Sequence, residues 1–239
     1  MADFMSMPAG TPEAQTSHFA LMDRVYRHQR HFYDLTRRHY LAGRDRLIDG
    51  IDAVPGDRIL EVGCGTARNL IKIARRYPGT SLWGVDASSE MLRSAAHSVQ
   101  RAGLDKRITL AHGLAEELPS IFAGQPGFDH VVFSYSLSMI GDWQGAIRTA
   151  ALIAKAQGHI HLVDFGDLNG LWPPAAAALR TWLGLFHVSP RSAFVQHLEN
   201  FAVGREECSM KLLRGRYAFV FKASIATISN FSPQVAIQH

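Results

Sequence analysis

Two glycines and a carboxylate carry the clearest chemical signal in this sequence. Gly63 and Gly65 follow the apolar run 59–62 and precede a helical pattern. Glycine allows a sharp backbone turn and lets a ligand approach main-chain N–H groups that a β-carbon would block. Asp86 ends the next apolar run, where the second strand of a βαβ unit places an acceptor for ribose hydroxyls. The spacing therefore predicts a binding site for a nucleoside cofactor.

The loop sequence distinguishes between two kinds of cofactor. A dinucleotide site needs a third glycine, but Arg68 stands in that place and Glu61 lies two residues before the first glycine. Segments 61–66 (EVGCGT) and 83–92 (WGVDASSEML) resemble the first two motifs of class I S-adenosylmethionine-dependent methyltransferases. S-adenosylmethionine carries a sulfonium and an ammonium but no phosphate, so an acidic residue suits its loop. A dinucleotide-binding fold or a non-catalytic relative is the alternative.

The remaining sequence alternates strand and helix patterns, as a doubly wound sheet requires. Strands are predicted at 58–62, 81–86, 107–111, 128–134 and 158–165, with a closing antiparallel pair at 207–213 and 217–225. Helices are predicted at 68–77, at 142–155, and from a cap at Ser88 or Ser89 to about 102. The resemblance implies an α/β fold with a Rossmann-like, seven-stranded, mostly parallel sheet, helices on both faces and an N-terminal helical lid. We divide the chain into a disordered N-terminus (1–17), a lid (18–54), a methyltransferase domain (55–228) and a tail (229–239).

Ligands of open α/β sheets bind beyond the carboxyl ends of the strands. Together with the resemblance, this implies a set of cofactor-binding residues: Tyr40, Arg44, Glu61, Gly63, Cys64, Gly65, Asp86, Ala87, Met91, Gly113, Leu114, Ala115 and Ser134. Many family members carry an acidic residue where this chain has Leu114. Adenine recognition is therefore expected to use backbone groups and the Leu114 side chain.

An aromatic and basic repeat marks the N-terminal region. Aromatic residues recur every seven positions, and an arginine follows each tyrosine by four: Phe19, Tyr26, Tyr33 and Tyr40, with Arg30, Arg37 and Arg44. Such positions overlay on one face of a helix. The stripe either packs the helix on the domain or forms a lid whose tyrosine rings face a cationic amine.

A narrower resemblance concerns segments 26–48 and 133–140. They are similar to the bacterial diacylglyceryl-homoserine N-methyltransferases of betaine-lipid synthesis, which add three methyl groups to the homoserine amine of a diacylglycerol ether lipid. The resemblance implies that the tyrosines around the reacting amine are catalytic (Tyr26, Tyr33, Tyr40 and Tyr135) and that Arg44 lies near the cofactor carboxylate. The alternatives are a phosphatidylethanolamine or small-molecule amine methyltransferase and, in another class, a non-catalytic cofactor-binding or assembly protein.

Composition limits the partners. The formal net charge is +4, and 47% of the 239 residues are hydrophobic. The basic residues form no block and accompany no nucleic-acid-binding motif, so we expect no nucleic-acid partner. None of the twelve histidines stands in a metal-ligand spacing, and we expect no metal. No apolar run reaches the ~18 residues of a membrane span.

These features predict a cytoplasmic protein that meets its lipid substrate at the inner face of the membrane. Segment 168–188 has aromatic and leucine residues with a single charge at Arg180. We expect it either to lie in the membrane interface or to pack as a helix on the domain or against another subunit. Replacing Trp182 with serine separates these cases. The oligomeric state is left open.

Overall fold

The computed structural model describes residues 42–184 and 192–228. Its centre is a seven-stranded sheet in the order β3-β2-β1-β4-β5-β7-β6. The strands are β1 (Arg58–Val62), β2 (Ser81–Asp86), β3 (Ile108–His112), β4 (Phe128–Ser134), β5 (Ala154–Phe165), β6 (Cys208–Leu213) and β7 (Ala218–Ser224). Strands β1 to β5 pair in parallel, and β7 pairs antiparallel with both β5 and β6. The predicted fold class is confirmed.

Helices cover both faces of this sheet. They are α1 (Arg44–Asp49), α2 (Arg68–Arg76), α3 (Ser89–Arg101), α4 (Leu118–Ile121), α5 (Trp143–Leu152), α6 (Pro173–Gly184), α7 (Ser192–Ala202) and α8 (Ile225–Ile228). Short 3-10 helices follow β3 and β4, at Ala115–Glu117 and Leu137–Met139. Helix α3 begins as predicted, because the Ser88 side chain accepts a hydrogen bond from the Met91 N–H.

Alternate residues of the central strands enter two separate cores. Val131 of β4 belongs to the core beneath α5, α7 and α8, whereas Val132 belongs to the core beneath α1, α2, α3 and α6. Both side chains are fully buried. The near-continuous apolar sequence of β4 is thus explained by burial on both faces.

Strand β5 begins at Ala154, four residues earlier than predicted, and α5 correspondingly ends at Leu152. The register of β4 and β5 shifts between Phe128 and His130. A side chain at Gly158 would come within 3.0 Å of the Phe128 and Asp129 carbonyl oxygens. The missing side chain therefore lets β5 continue past this irregularity, and its polar residues conceal the strand in the sequence.

Part of the predicted lid is an integral element of the domain. Leu47 and Ile48 of α1 are buried, and Asp45 and Asp49 form ion pairs with Lys72 (2.6 Å) and Arg76 (3.3 Å) of α2. Residues 44–49 therefore brace α2. Residues 18–41 of the predicted lid, including Tyr26, Tyr33 and Tyr40, lie outside the described residues, as do the predicted disordered terminus and the C-terminal tail.

Candidate active site

A cleft opens at the carboxyl ends of the parallel strands. Its empty volume, including the open mouth, is ≈840 Å³. Ten predicted site residues line it: Gly63, Gly65, Asp86, Ala87, Met91, Gly113, Leu114, Ala115, Ser134 and Tyr135. Among the described lining residues two are acidic, Asp86 and Glu116, and none is basic. This charge suits a cationic ligand and opposes a pyrophosphate.

The glycine loop is shaped by positive backbone angles. Gly63 and Gly65 have φ of 75° and 54°. A side chain on Gly63 would come within 2.5 Å of the Ser136 Cβ, whereas one on Gly65 would meet no atom within 4 Å. Gly63 therefore permits close packing of the β4 loop, and Gly65 leaves open space beside the cleft.

The N–H groups of the glycine loop, which a ligand was expected to approach, donate hydrogen bonds to acceptors within the protein. Gly63 and Cys64 donate to the Val85 carbonyl at 2.8 and 3.1 Å, and the Gly65 N–H donates to Asp86 Oδ2 at 2.7 Å. These bonds extend the pairing of β1 with β2. The glycines provide geometry rather than open N–H donors for a ligand.

Asp86 joins the two cofactor motifs. Besides Gly65, its Oδ1 accepts a hydrogen bond from the Ser88 N–H at 2.9 Å, so one carboxylate fixes both the glycine loop and the start of α3. Each carboxylate oxygen can accept more than one hydrogen bond. The residue therefore retains capacity for ligand hydroxyls where it lines the cleft.

Glu61 and Cys64 do not line the cleft. Glu61 is 1% exposed, and its Oε1 accepts a hydrogen bond from Asn69 Nδ2 at 2.7 Å. Cys64 is buried, and burial, followed by the charges of Asp86 and Glu61, raises the pKa of its thiol well above the ordinary value. Contact of Glu61 and Cys64 with the cofactor stays a prediction. In the structure, Glu61 ties the end of β1 to α2 through Asn69 and adds negative charge beside the loop.

The segment after β3 closes another side of the cleft. Leu114 lies on the wall, and its N–H donates to Glu117 Oε2 at 2.8 Å. A side chain at Gly113 would come within 2.5 Å of the Ile121 Cδ1, so glycine lets Ile121 pack against this turn. Glu116 is an acidic lining residue that the sequence analysis missed. The sequence offered one signal for it: Glu116 lies two residues after Leu114, which stands where many family members carry an acidic residue.

The end of β4 supplies Ser134 and Tyr135. Tyr135 has a φ of 57°, an angle that costs free energy for a residue with a side chain and that clusters at functional sites. Its hydroxyl donates to the Ala42 carbonyl at 2.6 Å. Burial, then Tyr217 and Asp164, raise the pKa of Tyr135 far above its ordinary value. Tyr135 is therefore poorly suited to act as a base and well suited to hold the N-terminal segment.

Further residues after β4 complete the cleft: Ser136, Met139, Ile140 and Gly141. Segment 134–139 was expected to pass beneath the methyl-donor end of the cofactor, but none of these four was among the predicted cofactor-binding residues. Ser136 Oγ donates to the Val62 carbonyl at 2.9 Å, which ties this loop to β1. The position of these four residues, directly after the predicted end of β4, was the signal in the sequence that they line the cleft.

Arg44 does not line the cleft. It is the first residue of α1 and half-buried, and its charge acts on the Tyr135 hydroxyl. Its place near the cofactor carboxylate stays a prediction. Tyr40 lies outside the described residues.

The larger apolar side chains of segment 168–184 mostly pack on the domain. Leu168 and Leu183 are buried, Leu179 and Trp182 are half-buried, and Trp172 is 73% exposed. Residues 185–188 lie outside the described part. Through residue 184, the packing alternative therefore accounts for these side chains, except at Trp172 and the exposed first turn of α6.

Across residues 42–184 and 192–228, no helix combines the length and apolar character that a bilayer crossing requires. The same residues contain no cluster of three histidine, cysteine or acidic side chains placed to hold a metal ion. His130 and His161 instead form a buried pair, with His130 Nδ1 3.1 Å from His161 Nε2 and His130 Nε2 3.2 Å from Asp57 Oδ2.

Comparison with known proteins agrees with this geometry. Residues 59–158 match the family described as "Methyltransferase domain". Nocamycin O-methyltransferase of Saccharothrix syringae is 30% identical over 184 residues, which are 76% of this chain and 60% of that protein. Demethylmenaquinone methyltransferase of Bacillus cytotoxicus is 31% identical over 120 residues, covering 50% of this chain and 49% of that protein. The chain thus spans about half of the length of such relatives.

Among solved structures, an O-methyltransferase family protein from Burkholderia thailandensis superposes with a TM-score of 0.66 at 16% identity, covering 88% of this chain and 62% of that one. Residues 59–158 thus match a methyltransferase domain, whose cofactor is S-adenosylmethionine, and the solved structure shows the same fold.

Proposed function

We propose that this protein is an S-adenosylmethionine-dependent N-methyltransferase that methylates the homoserine amine of diacylglyceryl-homoserine, up to three times, to form a betaine lipid. The observation that carries methyl transfer is the convergence of the glycine loop, Asp86 and the end of β4 on one acidic cleft. The bound cofactor supplies an already activated methyl group. The protein's contribution is then alignment, exclusion of water and control of the acceptor's proton.

The cleft suits the whole cofactor. Asp86 is proposed to accept hydrogen bonds from the ribose hydroxyls, and Leu114 with Gly113 and Ala115 to enclose the adenine. Met91 and Ala87 line the same cavity, and Ser134 borders it at the end of β4. The two acidic side chains and the absence of a basic one among the described lining residues complement the sulfonium and ammonium groups.

The lipid amine as acceptor is supported by a contact between two distant segments. The narrower resemblance rests on residues 26–48 and 133–140, and in the structure the Tyr135 hydroxyl bonds to the Ala42 carbonyl across 93 residues of sequence. We propose that this contact delivers Tyr26, Tyr33 and Tyr40 to the mouth of the cleft. Tyrosine rings there would attract the amine and the quaternary ammonium product.

Proton removal precedes each methyl transfer, because an ammonium has no lone pair. Tyr135 is proposed to orient rather than to deprotonate, since its hydroxyl is engaged and its pKa is raised by burial. Any tyrosine that accepts the proton is therefore expected among Tyr26, Tyr33 and Tyr40.

A phosphatidylethanolamine or small-molecule amine methyltransferase is the second candidate. Phosphoethanolamine N-methyltransferase 2 of Haemonchus contortus has this fold, with a TM-score of 0.57 at 20% identity, covering 71% of this chain and 38% of that one. That likeness concerns the fold alone. A cofactor-binding or assembly protein without turnover is the candidate of another class.

Lipid mass spectrometry separates these candidates. Cells that produce this protein together with an enzyme that attaches homoserine to diacylglycerol should accumulate mono-, di- and trimethylated lipid. Methylated phosphatidylethanolamine in place of that series would support the second candidate. Cofactor binding with no methylated product would support the non-catalytic one.

A further inference from the structure

Two loops pack backbone against backbone at the edge of the sheet where the parallel strands end and the cleft opens. One joins β5 to α6 and the other is the tight turn between β6 and β7. A side chain on Gly170 would lie 2.6 Å from the Gly215 carbonyl oxygen, and one on Gly166 only 2.0 Å from the Arg216 carbonyl oxygen. The Gly166 N–H and the Leu168 N–H donate across the contact at 2.8 and 3.1 Å. The two loops therefore behave as one rigid unit.

A partly buried ion-pair network holds this unit in place. The Arg216 guanidinium forms ion pairs with Asp167 of the β5–α6 loop and with Glu199 of α7, each at 2.7 Å. Asp167 is only 7% exposed. Arg214, Gly215 and Arg216 all have positive φ, at 46°, 63° and 63°. A turn with two non-glycine residues in this conformation persists only where its surroundings fix it.

What this rigid unit presents to solvent is aromatic, apolar and basic. Trp172 is 73% exposed, and Pro173, Pro174 and Ala175 of the first turn of α6 are exposed beside it. Proline favours the first position of a helix, so the turn needs no polar cap. Arg214 is exposed at the tip of the neighbouring loop, and no described side chain forms an ion pair with it. Residues 168–184 and 208–217 contain no acidic residue.

A chain of aromatic ring contacts links these loops to the cleft. The Tyr135 ring packs on Phe165 with centroids 4.7 Å apart, and Phe165 packs on Tyr217 at 5.9 Å. Tyr217 directly follows the β6–β7 turn, and Tyr135 lines the cleft. An aromatic path thus connects the exposed unit with the methyl-transfer site.

We propose that Trp172, the first turn of α6 and Arg214 form the surface by which this protein docks on an anionic bilayer. Tryptophan prefers the headgroup depth of a membrane, and unpaired arginines are attracted to anionic lipids. The inference rests on the proposed lipid substrate and specifies where the enzyme meets it. It also replaces Trp182, which is half-buried, by Trp172 as the inserting side chain.

Charge complementarity favours a bilayer over a covering protein surface. The exposed apolar area is small and built from short side chains around one tryptophan, as expected for shallow insertion. Asp167, the acidic residue of the β5–α6 loop, is buried against Arg216, so the exposed Arg214 has no exposed acidic neighbour in either loop. Neutral vesicles should therefore bind less tightly than anionic ones.

Vesicle sedimentation with the full chain tests this surface. Vesicles of equal parts phosphatidylcholine and phosphatidylglycerol should bind the wild type, with binding that weakens as salt rises. Trp172→Ser and Arg214→Glu should each weaken binding about fivefold or more. Leu152→Ser and Arg101→Glu are matched controls, because Leu152 is equally exposed (76%) and Arg101 is an exposed arginine at the end of α3. Both controls should bind as the wild type does.

Fluorescence gives a second readout. Lipids with brominated chains should quench the emission of the wild type, and Trp172→Phe should retain binding but lose most of that quenching. The proposal would be overturned if Trp172→Ser and Arg214→Glu both bound vesicles as the wild type does. A concentration-dependent dimer that Trp172→Ser abolishes would also overturn it. Turnover of detergent-dispersed lipid should survive Trp172→Ser. A lack of turnover in detergent and in vesicles, with vesicle binding still dependent on Trp172, would instead reject the proposed function and leave the docking surface standing.

Discussion

Replacement of Asp86 with alanine removes a carboxylate that the structure gives two backbone hydrogen bonds and a place in the cleft wall. Hydrogen bonds to charged groups contribute about 1.5–3 kcal/mol. Loss of the ribose contact therefore predicts roughly 10- to 150-fold weaker binding of S-adenosylmethionine. Loss of the bonds to Gly65 and Ser88 should also lower the free energy of unfolding by about 1–3 kcal/mol, because two amides lose their acceptor.

Titration calorimetry with S-adenosylmethionine and with S-adenosylhomocysteine measures the affinity, and denaturant unfolding measures the stability. Asp105→Ala, at an exposed position before β3, is the control and should change neither. Asp86→Asn keeps one acceptor oxygen and should fall between alanine and wild type in both measurements. An Asp86→Ala protein that is folded and binds cofactor within about twofold of the wild type would refute the ribose contact and leave Asp86 as a purely structural tether.

Three further predictions concern catalysis and stability. The variants to test are Tyr26→Phe, Tyr33→Phe, Tyr40→Phe and Tyr135→Phe. At least one of them, most clearly Tyr33→Phe or Tyr40→Phe, should lose about tenfold or more in rate while still binding cofactor. Full turnover by all four would show that the tyrosines serve only for packing. Burial holds the pKa of His161 well below its ordinary value of 6.5, so the unfolded chain binds more protons below that pH. The free energy of unfolding should therefore fall as pH drops below about 6.5, and His161→Phe should flatten this slope whereas exposed His97→Phe should not. Arg107 donates to the Ala74, Tyr77 and Thr80 carbonyls at 2.9–3.0 Å; Arg107→Ala should cost about 1.5–3 kcal/mol in denaturant unfolding, unlike Arg101→Ala, and equal stability of these two variants would contradict the role.

Local sequence patterns predicted the elements that depend on local chemistry. The buried character of β4 follows from its continuous apolar run, and the start of α3 follows from the capping preference of Ser88. The convergence of Gly65 and Asp86 follows from the rule that parallel strands end at one edge of the sheet. These features need no knowledge of distant contacts.

Features that arise from distant contacts could not be predicted. Glu61 was predicted to bind the cofactor, but its hydrogen bond from Asn69 in the first turn of α2 was not predicted. The bond of Tyr135 to Ala42 joins residues that no periodicity relates. The different exposures of Trp172 and Trp182 depend on how α6 rests on the core, and α6 has only Arg180 and Thr181 as polar residues to indicate its exposed face.

Methylation of a purified lipid by the purified protein tests the central claim most directly. Diacylglyceryl-homoserine in anionic vesicles should be incubated with S-adenosylmethionine that carries a deuterated methyl group, and the lipids analysed by mass spectrometry over time. We predict one, then two, then three labelled methyl groups on the homoserine nitrogen, with phosphatidylethanolamine in the same vesicles unlabelled. Labelling of phosphatidylethanolamine alone, or no labelled lipid from a protein shown to bind the cofactor, would contradict the account.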